Sequence, residues 1–106
     1  MEKKFDIQLL PAAYSELDDI FDYYIMANSP QAATQMLDQF MQSLRRLEDL
    51  PYSGAPLIAR SLNHFGSRMV IVDPYIAFYR LIADRIYVYR ILHGARDYRH
   101  LFKELL

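Results

Sequence analysis

The densest run of reactive side chains is Arg90-Ile91-Leu92-His93-Gly94-Ala95-Arg96-Asp97-Tyr98. In such a run His93 and Arg96 could form a cationic pocket that moves a proton and steadies charge developing on a phosphodiester. The same residues could instead fix a chain reversal, with Asp97 holding Arg96. Arg90 shares the strand phase of Ile86, Val88 and Leu92, where an unpaired charge is costly. It must run its head out to water, pair with a carboxylate or face a cleft. The three histidines, His64, His93 and His100, have no spacing that favours a metal. Asp18, Asp19 and Asp22 read as a solvated helix face. With no cysteine, disulfides, Cys-based zinc sites and thiol nucleophiles are excluded. Nothing matches a P-loop, a dinucleotide fingerprint, a G-x-S-x-G elbow or an H-E-x-x-H helix, and no cofactor is expected.

These groups sit on a chain of 106 residues, 53% hydrophobic and 24% charged, which is ordinary for one globular domain spanning 1–106. No apolar run approaches the ~20 residues that span a bilayer, and the first residues lack an apolar signal core, so a soluble cytoplasmic protein is expected. The net charge of −1 hides a division. Residues 1–50 carry four basic side chains against nine acidic ones, whereas residues 51–106 carry eight basic, seven of them arginine, against four acidic. The two halves could simply neutralise each other, or the basic half could dock an acidic partner. The pI of 6.3 argues against strong binding to free nucleic acid.

Periodicity supplies the elements that must position the candidates. Residues 4–10 alternate Phe5, Ile7 and Leu9 with polar neighbours and predict a half-buried strand. Pro11 suits a first helical turn, after which Ala13, Leu17, Ile20, Phe21, Tyr24 and Ile25 recur at helical spacing, with Glu16, Asp18, Asp19 and Asp22 off that stripe. Ser29 and Pro30 can cap and open a second helix striped by Ala33, Met36, Leu37, Phe40, Leu44 and Leu47, ending before Pro51. The short connection implies an antiparallel helical hairpin.

Residues 51–56 form a turn-rich link, 57–65 a loop, and three aromatic and β-branched runs follow at 68–72, 75–82 and 86–92. Their short connections predict antiparallel hairpins, and residues 98–106 could add a short C-terminal helix. The expectation is an α+β domain of order β-α-α-β-β-β, an antiparallel sheet with a two-helix hairpin packed on one face.

The chain resembles bacterial toxins of the RelE/ParE superfamily, the toxic half of type II toxin–antitoxin pairs. The likeness runs in order along nearly the whole chain. It covers Pro11-Ala12-Ala13-Tyr14-Ser15-Glu16-Leu17-Asp18-Asp19-Ile20, Ser29-Pro30-Gln31-Ala32-Ala33, Leu47-Glu48-Asp49-Leu50-Pro51-Tyr52-Ser53-Gly54, Ser67-Arg68-Met69-Val70, Tyr75-Ile76-Ala77-Phe78-Tyr79-Arg80 and Ile91-Leu92-His93-Gly94-Ala95-Arg96-Asp97. It implies a compact toxin, of the kind that serves plasmid stabilisation and growth inhibition, wrapped by a cognate antitoxin that contributes acidic and apolar side chains.

The branches differ in target. RelE-like enzymes cleave mRNA on the translating ribosome with basic residues on the central strands. Here those positions correspond to Ile76, Ser67 and Met69; Arg96 matches an arginine of that branch, but Tyr98 lies too early to match its tyrosine. His93 could substitute as general acid or base. The pattern is more similar to the ParE branch, whose members poison DNA gyrase by binding. That resemblance implies that Arg68, Arg90, His93 and Arg96 stabilise the fold or contact the target or the antitoxin, with no catalytic residue. If the chain is instead a ribonuclease, His93 and Arg96 are the catalytic candidates. A non-toxic, antitoxin-binding module is the third alternative.

Overall fold

A computed structural model describes residues 4–56 and 66–94. The expected loop at 57–65, the C-terminal helix, His64, Arg96, Asp97 and His100 lie outside the described residues. Within them the order is β1 (Asp6–Leu9), α1 (Pro11–Ala27), α2 (Pro30–Asp49), β2 (Ala55–Pro56), β3 (Ser67–Val72), β4 (Tyr75–Ile82) and β5 (Arg85–His93). The α+β order and the helical hairpin are those expected. The sheet runs β1-β5-β4-β3-β2 and is antiparallel except that β1 pairs parallel to β5. Strand β2 falls inside the link read as turns: Ala55 faces Met69 and Pro56 faces Arg68, at an edge where proline's missing N–H costs no ladder bond.

Helix α2 starts where the Ser29 side chain accepts the Ala32 N–H at 3.1 Å, with Pro30 in its first turn. Helix α1 also begins on a proline, but Leu10 before it offers no side-chain cap. Ala13 of α1 and Phe40, Leu44 and Leu47 of α2 pack on Val72, Tyr75, Ala77, Tyr79, Ile86, Val88 and Ile91 of the sheet. Each large apolar side chain so buried contributes about 1.5–3 kcal/mol. On the opposite face Phe78 and Leu92 form a smaller cluster with Met69, Ile76 and Tyr89.

One irregularity decides where the candidates point. Tyr79 faces Val88, but Phe78 faces Arg90, so Tyr89 is an extra residue in β5, a β-bulge. The bulge resets the alternation. Ile86 and Val88 belong to the helix-side core, whereas Leu92 belongs to the opposite cluster. The expectation that Arg90 shares one side with all three is corrected accordingly: Arg90 lies opposite Phe78, in register with the Leu92 face.

Candidate functional site

Strand β1 covers β5 only from Arg85 to Val88, and the Leu10 N–H closes the pairing on the Val88 carbonyl at 2.9 Å. Beyond that point the chain turns into α1, and a helix side chain takes over the edge of β5. The Glu16 carboxylate accepts the Ile91 backbone N–H at 2.9 Å. It also accepts Arg90 Nε at 3.0 and 3.1 Å on its two oxygens and Arg90 Nη2 at 2.9 Å. Glu16 thus satisfies a strand N–H and holds the Arg90 guanidinium in a two-pronged ion pair. Of the three outcomes open to Arg90, pairing with a carboxylate is the one observed.

Arg68 lies two strands away and is used differently. Its Nη1 donates to the carbonyls of Tyr52 at 3.1 Å and Gly54 at 2.8 Å, and the guanidinium stacks 5.1 Å from the centre of the Tyr52 ring. Beside it the fully buried Tyr79 hydroxyl donates to the Pro51 carbonyl at 2.9 Å and accepts the Gly54 N–H at 3.0 Å. Burial raises the Tyr79 pKa, partly opposed by the Gly54 hydrogen bond and the Arg68 charge. Arg68 and Tyr79 together pin the turn that leads into β2.

His93 closes β5 beside Tyr75, their rings edge to face at 5.4 Å. Both line a cleft of about 340 Å³ with Glu16, Asp19, Ile20, Tyr23, Tyr24, Pro74 and Ile91. Gly94 seals one rim by donating to the Pro74 carbonyl at 2.8 Å. Among the described residues, the charged lining is two carboxylates, of which Glu16 is engaged by Arg90. His93 stands beside these carboxylates and tyrosines within the described residues. Arg96 lies outside them.

On the other sheet face, burial raises the Tyr89 pKa, opposed by the Ser67 hydroxyl and the Arg80 and Arg90 charges. Among the described residues no group of three or more His, Asp or Glu could hold a metal ion, and no helix is long and apolar enough to cross a membrane.

A carboxylate partner is one of three outcomes the sequence leaves open for Arg90, and nothing in it singles out Glu16, 74 positions earlier. The sequence reading assigns no role to Tyr79, Gly54 or Tyr75, and takes Asp19 as part of a solvated helix face. For Tyr79 the signal was available: a tyrosine in the middle of a buried strand must find a partner for its hydroxyl.

A family model described as "ParE toxin of type II toxin-antitoxin system, parDE" matches residues 7–98. Among solved structures, a chain of the chromosomal ParDE TA system from P. aeruginosa superposes with a TM-score of 0.70. The two are 21% identical, and the match covers 85% of this chain and 96% of that one. No curated protein matches this chain at a significant level.

Proposed function

This chain belongs to the ParE toxin family of type II toxin–antitoxin systems, and from that premise we propose that it halts growth by binding DNA gyrase in the cytoplasm. A cognate antitoxin neutralises it. The observation that carries the binding reading, as against cleavage of mRNA on the ribosome, is the employment of the candidate cations among the described residues. Arg90 is tied to Glu16 and Arg68 to the Tyr52–Gly54 turn, while His93 faces carboxylates and tyrosines. Phosphodiester cleavage calls for cations aimed at the developing charge, a demand these engaged arginines do not serve.

The antitoxin reading draws support from an apolar groove of about 190 Å³ between α1 and α2, lined by Tyr14, Leu17, Phe21 and Leu37 with Asp18. Such a groove suits apolar anchors of a wrapping segment, with acidic side chains of the same segment over the arginine-bearing sheet.

The test is induced expression in a susceptible bacterium, with growth, a DNA-damage reporter and message integrity read together. Damage induction with intact message is expected, followed by trapping of cleaved plasmid when the purified chain meets purified gyrase. Fragmented message without damage induction would overturn the gyrase reading in favour of a ribonuclease. Normal growth with folded protein present would assign a non-toxic antitoxin-binding module.

A further inference from the structure

Helix α1 carries Glu16, Asp18, Asp19 and Asp22 and no basic residue. Aspartate is a poor helix former, and Asp18 and Asp22 stand four apart, where like charges repel. Glu16 is fully engaged: both its oxygens are taken up by Arg90, and one also holds the Ile91 N–H. Asp19 has no hydrogen-bond or ion-pair partner among the described residues, yet it lines the cleft beside β5. Around it stand aromatic rings. Tyr23 is 59% exposed and sits edge to face with Tyr24, and Pro74 and the buried Tyr75 also line the cleft. A cleft with one carboxylate left without a partner among the described residues, beside an exposed tyrosine ring, has the chemistry of a receptor for an organic cation.

We propose that this α1–β5 cleft seats one arginine side chain of the antitoxin, its guanidinium paired with Asp19 and stacked on Tyr23. The proposal rests on the antitoxin reading above and adds to it a site of opposite polarity to the arginine-bearing sheet. Arginine fits better than lysine because a planar guanidinium can lie on a ring while its edge donates to the carboxylate. The alternative occupant is an arginine of this chain's own residues 95–106, which the test separates.

The test measures affinity of the full chain for the antitoxin that co-purifies with it, in wild type, Asp19→Asn and Tyr23→Leu. Each substitution is expected to weaken binding about tenfold, mostly through faster dissociation. A glutamine scan of the antitoxin's arginines should find one whose replacement adds nothing once Asp19 is changed, with lysine there giving an intermediate loss. Wild-type affinity in both variants would sink the proposal, as would interaction of Asp19 with Arg96 or Arg99 of this chain in the same double-mutant cycles. Titration with N-acetyl-arginine amide, followed by NMR, is the independent readout. Shifts at Asp19, Tyr23 and His93 that are absent with N-acetyl-glutamate amide are expected, and their absence counts against the cleft. If no antitoxin binds the wild type, the toxin–antitoxin reading fails, and the proposal with it. The arginine titration then separates a cleft with another donor from one that takes no guanidinium.

Discussion

The two ends of the sheet are built from the same side chains to opposite effect. At the β2–β3 end an arginine, a tyrosine and a turn lock together: Arg68 holds two turn carbonyls, and the buried Tyr79 hydroxyl bridges a third carbonyl and the Gly54 N–H. At the α1–β5 end an arginine and tyrosines meet two carboxylates, but among the described residues only Glu16 is consumed, and Asp19 and Tyr23 are exposed. Residue type does not separate structure from function here; saturation and burial do. A polar group with its bonds filled inside the protein is fixed there by the cost of leaving its partners unpaired. An open one can be used by something else.

This contrast is broken most severely at the closed end. A Cβ at Gly54 would collide with the Tyr79 hydroxyl and stand 2.8 Å from the Met69 carbonyl oxygen. Gly54→Ala is therefore expected to cost about 3 kcal/mol in urea unfolding, and a loss below about 1 kcal/mol would show that the corner is looser than described. Tyr79→Phe keeps the ring and removes the hydroxyl, leaving the Gly54 N–H and the Pro51 carbonyl short of a partner, for a loss of about 2 kcal/mol.

The same hydroxyl carries a pH signature. Its folded pKa is raised above the ordinary value of 10.0, mainly by burial, so the unfolded chain gives up this proton first. The stability involved is whole below about pH 10 and declines as pH rises through the folded pKa. Tyr89 adds to the decline in the same direction. Alkaline unfolding of Tyr79→Phe should accordingly be less steep than that of the wild type, and identical slopes would remove Tyr79 from the account.

At the other end the effects shrink. Arg90→Ala breaks an ion pair whose side chains are 43% and 23% exposed, so solvent screening limits the expected loss to about 1 kcal/mol, read as a lower Tm. An Arg90→Ala protein that melts normally but no longer inhibits growth would move Arg90 from the scaffold to the working surface. Asp19→Asn should be silent, within about 0.5 kcal/mol in the same unfolding assay. A larger loss would mean that Asp19 belongs to the fold and that the two ends are less different than they look.

Much of this is legible in the sequence alone. The stripe Ala33, Phe40, Leu44, Leu47 is buried as its spacing predicts, and the Ser29–Pro30 pair opens α2. The strand predicted at 75–82 matches β4, Tyr75–Ile82. Such signals are local, because a helix or strand repeats its buried side within a few residues. The candidate site was legible only in part. Arg90 and His93 stand out in it, but strict alternation places Arg90 with Ile86, Val88 and Leu92, because a bulge leaves no mark in a run of β-formers.

By itself, then, the sequence determined the element order, the apolar sides that close the core and the ordered likeness that marks the family. Tertiary structure alone decided what the polar residues do. Whether Arg90 meets Glu16, whether Tyr79 reaches Gly54, and whether the cleft beside His93 is lined by acid or base all depend on chain segments far apart in sequence. Those segments meet only when β5 docks between β1 and β4 under α1. Hydrogen bonds and ion pairs act over a few ångströms, so their partners are chosen by that closure and not by neighbours along the chain.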